Sequence, residues 1–384
     1  MVSAVRVGRS ERSVAVEYGV SLSAVQYWVQ RAEGQRLDRV DWSDRPGGPR
    51  HSTKRTPREL EDLVLRLRRE LRDESALGEF GGIAIREELQ RQGVMPLPTV
   101  RTIYRVLERR GALDHRRRIR RPAPMPGWYL PDVAMGSAEV DQLDVIEGLV
   151  IKGGPQVEVL TVISLHGGLC GAWPQAGLHA QTVRERLLQH WQECGLPDYA
   201  QFDNDTLFQG PHQHRDVISS VMRLCLSLGV VPVFVPPRET GFQAAVESFN
   251  GRWQAKVWTR FQHESLPALQ AQSARYVAAH RQRSTLRREA APERRAFPQA
   301  WTLDLQARPQ GNIIFLRRTT AQGHATLLGR TFEVDPTWPH RLVRCQVDLY
   351  HNVIRFYALR RRAPDQQPLL REVPYALPDR RFRE

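Results

Sequence analysis

The chain has 384 residues, with 56 Lys plus Arg against 42 Asp plus Glu, a formal net charge of +14 and a pI near 10.3. A hydrophobic fraction of 41% can bury real cores and the length exceeds one typical domain, which excludes a wholly disordered polymer and a small disulfide scaffold. The basic field suits a polyanion, nucleic acid foremost, better than an acidic small substrate.

Residues 12–31 show a helical apolar pattern that breaks at Gly19 and resumes after Ser21, a good N-cap residue. Ala15, Gly19, Val25 and Trp28 fall where a helix-turn-helix needs a small contact, a turn and two packing residues. Ser23, Gln26, Tyr27 and Gln30 are then left to face outward, as on a helix that enters a major groove. An ordinary helical hairpin would show the same pattern. This first domain is set at 1–35. Residues 36–57, rich in Pro, Gly and basic side chains, read as a linker that either tracks phosphates or is simply solvated.

Helical periodicity returns over 59–72, 83–92 and 99–110, which predicts a second helical domain, helix-turn-helix or winged-helix-like, over 58–121. In its last helix Val100, Ile103, Tyr104 and Leu107 form the apolar stripe. Arg101, Arg105 and Arg109 repeat on another face and lead into Arg116, Arg117, Arg118, Arg120 and Arg121. Such a ridge is often only solvated, but its continuation into an uninterrupted basic run predicts phosphate contact. Residues 122–138, with prolines at 122, 124, 126 and 131, read as a semi-rigid tether.

Beyond it, 142–151, 157–165 and 169–173 read as three consecutive strands. A helix over 182–193, a strand over 199–203, a helix over 217–228, a buried strand over 230–235 and a further helix follow. This order implies a mixed sheet covered on both faces, with chemistry at strand ends and adjoining helices. Asp144 lies inside an apolar strand, where a half-buried charge is costly unless paired or bound to metal. Asp203 closes the strand expected beside it. In the last helix Phe242, Val246, Phe249, Trp253 and Val257 make the packing face, with Gln243, Glu247, Asn250 and Gln254 on the other. Two strand Asp and one helix Glu suit hard divalent cations and two-metal phosphoryl transfer. Asp141, Glu147, Asp205 and Glu239 are rival acids that position alone does not exclude. His212 and His214 lack a third metal ligand nearby and read as surface histidines.

Residues 263–310 are expected to be a helical, Arg-dense connector, either DNA-contacting or solvated. Four short strands over 311–362 predict a small β-barrel, whose Arg341, Arg344, Arg355 and Arg360 to Arg362 are offered to DNA. Residues 363–384 read as a loosely ordered tail. Cys170, Cys194, Cys225 and Cys345 lie far apart, so neither a disulfide framework nor a zinc cluster is expected. Neither a membrane span nor a secretory signal is expected, which points to a cytoplasmic, nucleoid-associated location.

The acids of LDVIE, FDND and VPPRETGFQAAVESFN, preceded by helix-turn-helix elements, give the chain a resemblance over nearly its whole length to a known family. It resembles the DDE transposases of bacterial insertion sequences, members of the integrase/transposase superfamily with a retroviral-integrase-type catalytic core. The resemblance implies a multidomain chain with N-terminal all-α helix-turn-helix domains and a central α/β RNase H-like core, a mixed five-stranded sheet, over 139–262. It implies Asp144, Asp203 and Glu247 as the catalytic triad holding two Mg²⁺ ions, with Mn²⁺ as a substitute. Asn204 matches the family's Asp-Asn-Gly, and Asn250 its Glu-x-Phe-Asn. Double-stranded DNA, as element ends and target, and a homo-oligomer assembled on it are the implied partners, and end cleavage with strand transfer the implied activity. The sequence departs from the family in having Asp205 for Gly, Asp141 for a Trp, and Ser164 for an Asp. The alternative is a catalytically inactive or domesticated sequence-specific DNA-binding regulator. An RNase H-type nuclease would leave the helical domains idle.

Overall fold

The computed structural model describes residues 1–44, 56–113, 126–211 and 214–379. The basic run Arg116, Arg117, Arg118, Arg120 and Arg121, and His212, lie outside the described residues. The chain divides into two compact units, Met1–Arg58 and Glu59–Glu384.

In the first unit helices α1 (Val2–Arg6), α2 (Glu11–Glu17) and α3 (Leu22–Ala32) follow one another. Ser10 and Ser21 start α2 and α3, their side chains accepting from the N–H groups of Ser13 and Ala24, which satisfies donors that a helix start leaves open. Gly19 turns the chain between them at φ +63°, a conformation costly for residues with a Cβ. Val14, Ala15 and Val25 are buried together, and Trp28 packs against the cluster of Val2, Ala32 and Val40. The predicted hairpin therefore forms, with α1 as an added helix.

The second unit begins with α4 (Arg58–Glu74), α5 (Gly82–Arg91) and α6 (Val100–Arg109), packed through Val64, Leu67, Ile85, Leu89, Ile103, Val106 and Leu107. Tyr104 is not in that core. It is 42% exposed and its ring lies over Gly82, where an added Cβ would stand 2.8 Å away. Helix α7 (Pro131–Ala134) belongs to a segment that is no tether. Trp128, Tyr129, Leu130 and Val133 are buried with Phe242, Val233 and Ile314, because four large apolar side chains in six residues gain more from burial than prolines lose by it.

Strands β1 (Val140–Val150), β2 (Gln156–Ser164) and β3 (Cys170–Gln175) form an antiparallel meander. Helix α8 (Ala180–Cys194) crosses over to β4 (Tyr199–Phe202), which lies parallel to β1. The short α9 (Thr206–Gln209) and α10 (Ser220–Ser227) lead to β5 (Val231–Phe234), parallel to β4. Helix α11 (Ala244–Trp253) runs into a π-helical turn, Gln254–Trp258, and α12 (Leu266–Arg283) and α13 (Thr285–Glu289) follow. Lys256 Nζ donates to the Gly78 carbonyl at 3.0 Å and Arg283 pairs with Glu87 at 2.6 Å, holding the helical bundle to this part of the unit.

The five-stranded sheet and separate barrel expected from sequence are replaced by one mixed sheet of nine strands. Strand β6 (Asn312–Arg318) pairs parallel with β5 through Val233↔Ile314 and Phe234↔Phe315. The hairpin β7 (His324–Leu327) and β8 (Arg330–Glu333) stands apart from the ladder, while β9 (Leu342–Asp348), β10 (Val353–Ala358) and β11 (Leu369–Pro374) extend it. The reason lies in β6. Ile313, Ile314, Phe315 and Leu316 are all buried, a continuous apolar run that suits an interior strand covered on both faces, whereas a small barrel strand alternates. Phe234 stacks on Phe315 at 5.1 Å across the join. Strand β11 and the buried Tyr375 and Leu377 also correct the expected loose tail.

Three of the connector arginines are hydrogen-bonded to the core. Arg281 Nε donates to the Cys170 carbonyl at 2.8 Å, Arg295 Nη2 to that of Gly229 at 2.8 Å, and Arg294 grips both oxygens of the fully buried Asp141 at 2.8 and 2.9 Å. All four cysteines are free, and among the described residues no helix is long and apolar enough to cross a membrane. Removing one partner of a buried ion pair strands the other, at a cost of about 3–5 kcal/mol. Arg294→Ala is expected to lower the free energy of urea unfolding by about that amount; an unchanged midpoint and slope would show that Trp191 Nε1, 3.0 Å from Asp141, suffices alone.

Candidate active site

Strands β1 and β4 pair in the register Val140↔Tyr199, Asp141↔Ala200, Gln142↔Gln201. Two residues further along lie Asp144 in β1 and Asp203, just past the end of β4, which line one cleft. Strand alternation puts both acids on the face of Gln142 and Gln201, and Asp141 and Leu143 on the other. The hydrogen bonds agree. Gln142 and Gln201 both donate to the Phe242 carbonyl, at 3.1 and 2.9 Å, and Gln142 Oε1 accepts from the N–H groups of Ala245 and Val246, which begin α11.

Helix α11 is thus pinned across the acidic face. Gln243 Nε2 donates to the Leu143 carbonyl at 2.9 Å and Asn250 Nδ2 to Asp144 Oδ2 at 2.7 Å. Glu247 lies four residues after Gln243 and three before Asn250, on the same helical face, and is exposed. Burial foremost, together with the charges of Asp203 and Glu247, raises the Asp144 carboxyl to about 6, against the pull of the Val145 N–H and the Asn250 amide. Burial also raises Asp203, with the charges of Asp205 and Glu147 adding to it and the Asp205 N–H opposing. The three acids inferred from sequence are therefore on one side of the sheet and within electrostatic reach of Asp144.

The rival acids separate by partner. Asp141 is neutralised by Arg294 on the opposite face. Glu239 is bound by Arg318 at 2.6 and 2.7 Å. Asp205 caps α9 through the Leu207 N–H at 2.7 Å. Glu147 stays at the site with the capping Asp205: a bulge in β1 between Ile146 and Leu149 leaves it lining, with Asp144, Asp203 and Asp205, a cleft of about 470 Å³. A glycine directly after it, Gly148 at φ +75°, is the sequence signal for such a bulge. Asn204 does not face the cleft as a donor. Its Nδ2 donates to the Val235 carbonyl at 2.7 Å and its Oδ1 accepts from Arg317 at 3.0 Å, which fixes the chain just past Asp203. Ser164 Oγ accepts from the Leu169 N–H at 2.8 Å, closing a turn.

Ser23, Gln26, Tyr27 and Gln30 are all exposed on α3, and Arg101 and Arg105 on α6. Arg109 is exposed too, but it pairs with the buried Glu61, as does Arg110, because a carboxylate inside the bundle needs a counter-charge. Arg344 and Arg355 are likewise committed, to Gln367 and Gln346 and to Asp348 and Glu372.

Among the described residues no three His, Cys, Asp or Glu form a ready-made metal cage. Asp144 and Asp203 nevertheless line one cleft, both half-buried and, among the described residues, neither paired to a Lys or Arg, an oxygen-only donor set of the kind hard divalent cations take. Glu247 presents a third carboxylate from the helix above.

No protein family matches the chain's sequence, nor does any curated protein. Among solved structures, a simian T-cell lymphotropic virus intasome in complex with PP2A regulatory subunit B56 gamma is similar at 13% identity, over 69% of this chain and 84% of that one, with a TM-score of 0.32. The catalytic core domain of BIV integrase is similar at 17% identity over 38% of this chain and 83% of that one, TM-score 0.28. The HTLV-2 integrase catalytic core domain in complex with magnesium follows at 14%, over 40% and 86%, TM-score 0.27. Overlaps this partial leave the argument to the local geometry.

Because Asp144 titrates at about 6 in the folded chain and at 3.8 ordinarily, its charge costs native stability above pH 6, and the cost fades as pH falls towards 4. Asp144→Asn is expected to raise Tm at pH 7.5 in EDTA, the gap closing between those two values. A gap that stays constant with pH would exclude the charge as its cause.

Proposed function

We propose that this chain is a DDE-type polynucleotidyl transferase, a transposase or integrase that binds DNA ends and catalyses phosphodiester cleavage and strand transfer. The observation that supports the reading is that the charges of both Asp203 and Glu247 act on the half-buried Asp144, which shares a cleft with Asp203. In this reading the three carboxylates hold the ions and Asn250 orients Asp144 by occupying one of its oxygens. Asn204 and Arg317 keep the Asp203 carboxylate from drifting with its loop. Two Mg²⁺ ions, when bound, would supply the charge that stabilises the attacking and leaving oxygens of an in-line displacement. The exposed side chains of α3 would read a major groove, and Arg101 and Arg105 would meet phosphates. Two ends must be joined, so a homo-oligomer assembled on double-stranded DNA is part of the proposal.

A second reading, a DNA-binding regulator without catalysis, draws on the exposed face of α3 and on the lack, among the described residues, of a preformed three-ligand cage. The two divide on one experiment: the purified chain and Asp203→Asn are incubated with Mg²⁺ and labelled duplexes made from the DNA on either side of its gene. The transferase predicts Mg²⁺-dependent cleavage that falls on the order of 100-fold or more in the variant, since charge stabilisation at the reacting phosphate is lost, with duplex binding retained. Equal cleavage by both proteins would refute the assigned site, and binding without cleavage by the parent chain would select the regulator.

A further inference from the structure

A second cleft, of about 650 Å³, opens where the loop leading into α11 meets the ends of β6, β9 and β10. Its lining is aromatic and cationic together. The Arg341 guanidinium stacks over the Trp338 ring at 4.5 Å and that of Arg361 lies over Trp128 at 6.0 Å. Arg360 and Arg362 border the same opening, and Arg341 and all three of these neighbours on β10's end are exposed. The one acid in the lining, Glu239, is already held by both nitrogens of Arg318. Four guanidinium groups therefore converge on one concave site without an acidic partner among the described residues, whereas Arg355 nearby is paired with Asp348 and Glu372. A like-charged cluster of this kind marks the place of an anion.

The aromatic rings narrow the ligand further. A duplex keeps its base faces stacked inside and offers a protein phosphates and groove edges. Only an unpaired nucleotide exposes a π face that can lie on a tryptophan or on a guanidinium plane. The cleft also has the size of a pocket for a small ligand, not of a track for a double helix. Its floor includes Phe242, whose carbonyl is the acceptor shared by Gln142, Gln201 and Tyr129, so it adjoins the acidic face through a single residue.

We propose that this cleft binds single-stranded DNA, an unpaired nucleotide stacking on the Arg341–Trp338 pair while Arg360, Arg361 and Arg362 take the flanking phosphates. The choice of DNA rests on the transferase reading above; the stacking site does not depend on the acids. The test uses the full chain in EDTA, with a fluorescein-labelled 20-nucleotide thymidine strand and a 20-base-pair duplex, read by fluorescence anisotropy. Trp338→Leu and the doubly substituted Arg341→Gln, Arg361→Gln are each expected to weaken single-strand binding by about 10-fold, as loss of a stacking partner does, with duplex binding nearly unchanged. The double variant should also lower the single-strand salt slope by about 0.7, the share of the one phosphate contact, that of Arg361, which it removes. Its two arginines are exposed, which guards against misfolding of the tryptophan variant. Unchanged single-strand affinity in the double variant, or an equal loss for the duplex, would overturn the proposal. Neither result touches the cleavage comparison with Asp203→Asn, so failure of the cleft and failure of the acidic site are told apart.

Discussion

A parallel pair of strands cannot slide by one residue without moving every side chain to the opposite face, and in this chain that constraint decides which carboxylates meet α11. With Gln142 opposite Gln201, the glutamines meet α11 and the aspartates two residues on share its shadow. A slip of one position would bury Asp144 among the apolar residues around Leu143 and send Asp141 to the cleft. The glutamines are what prevent it, because both amides converge on one carbonyl at the entry to the helix. Helix placement and acid placement are thus one event.

The same alternation separates two uses of a carboxylate three residues apart. Asp141 lies on the face covered by α8, where Arg294 and the Trp191 indole hold its pKa low despite complete burial. Asp144, on the other face, has only a neutral amide and a backbone N–H to stabilise its charge. A carboxylate that the protein itself leaves underpaired has capacity for a cation from outside; one that is fully paired has none.

The order of strands and helices in the core was legible because periods of two and 3.6 are local properties, and the three acids stood out against them. What was not legible was pairing over long separations. Arg109 and Arg294 look like surface cations until Glu61 and Asp141 are found 48 and 153 residues away. The C-terminal strands were recognised as strands, but their alignment with β5 depends on which edge they meet, which no window of sequence contains. Pro126 and Pro131 read as a tether, yet Trp128 and Tyr129 between them bury the segment. Glu147 escapes a pattern of regular alternation because a bulge aims it.

Continuation of the sheet from β5 into β6 makes the acidic centre and the C-terminal region a single mechanical body. The guanidinium of Arg317, buried on β6 with its pKa lowered to about 10, reaches back to Asn204. A fragment ending near residue 262 would bare the β5 edge and withdraw that anchor. The outermost rim passes instead to β11, where Arg371 and Glu372 face outward as ion-pair partners of Glu333 and Arg355, charges that discourage a neighbouring chain from adding its own strand.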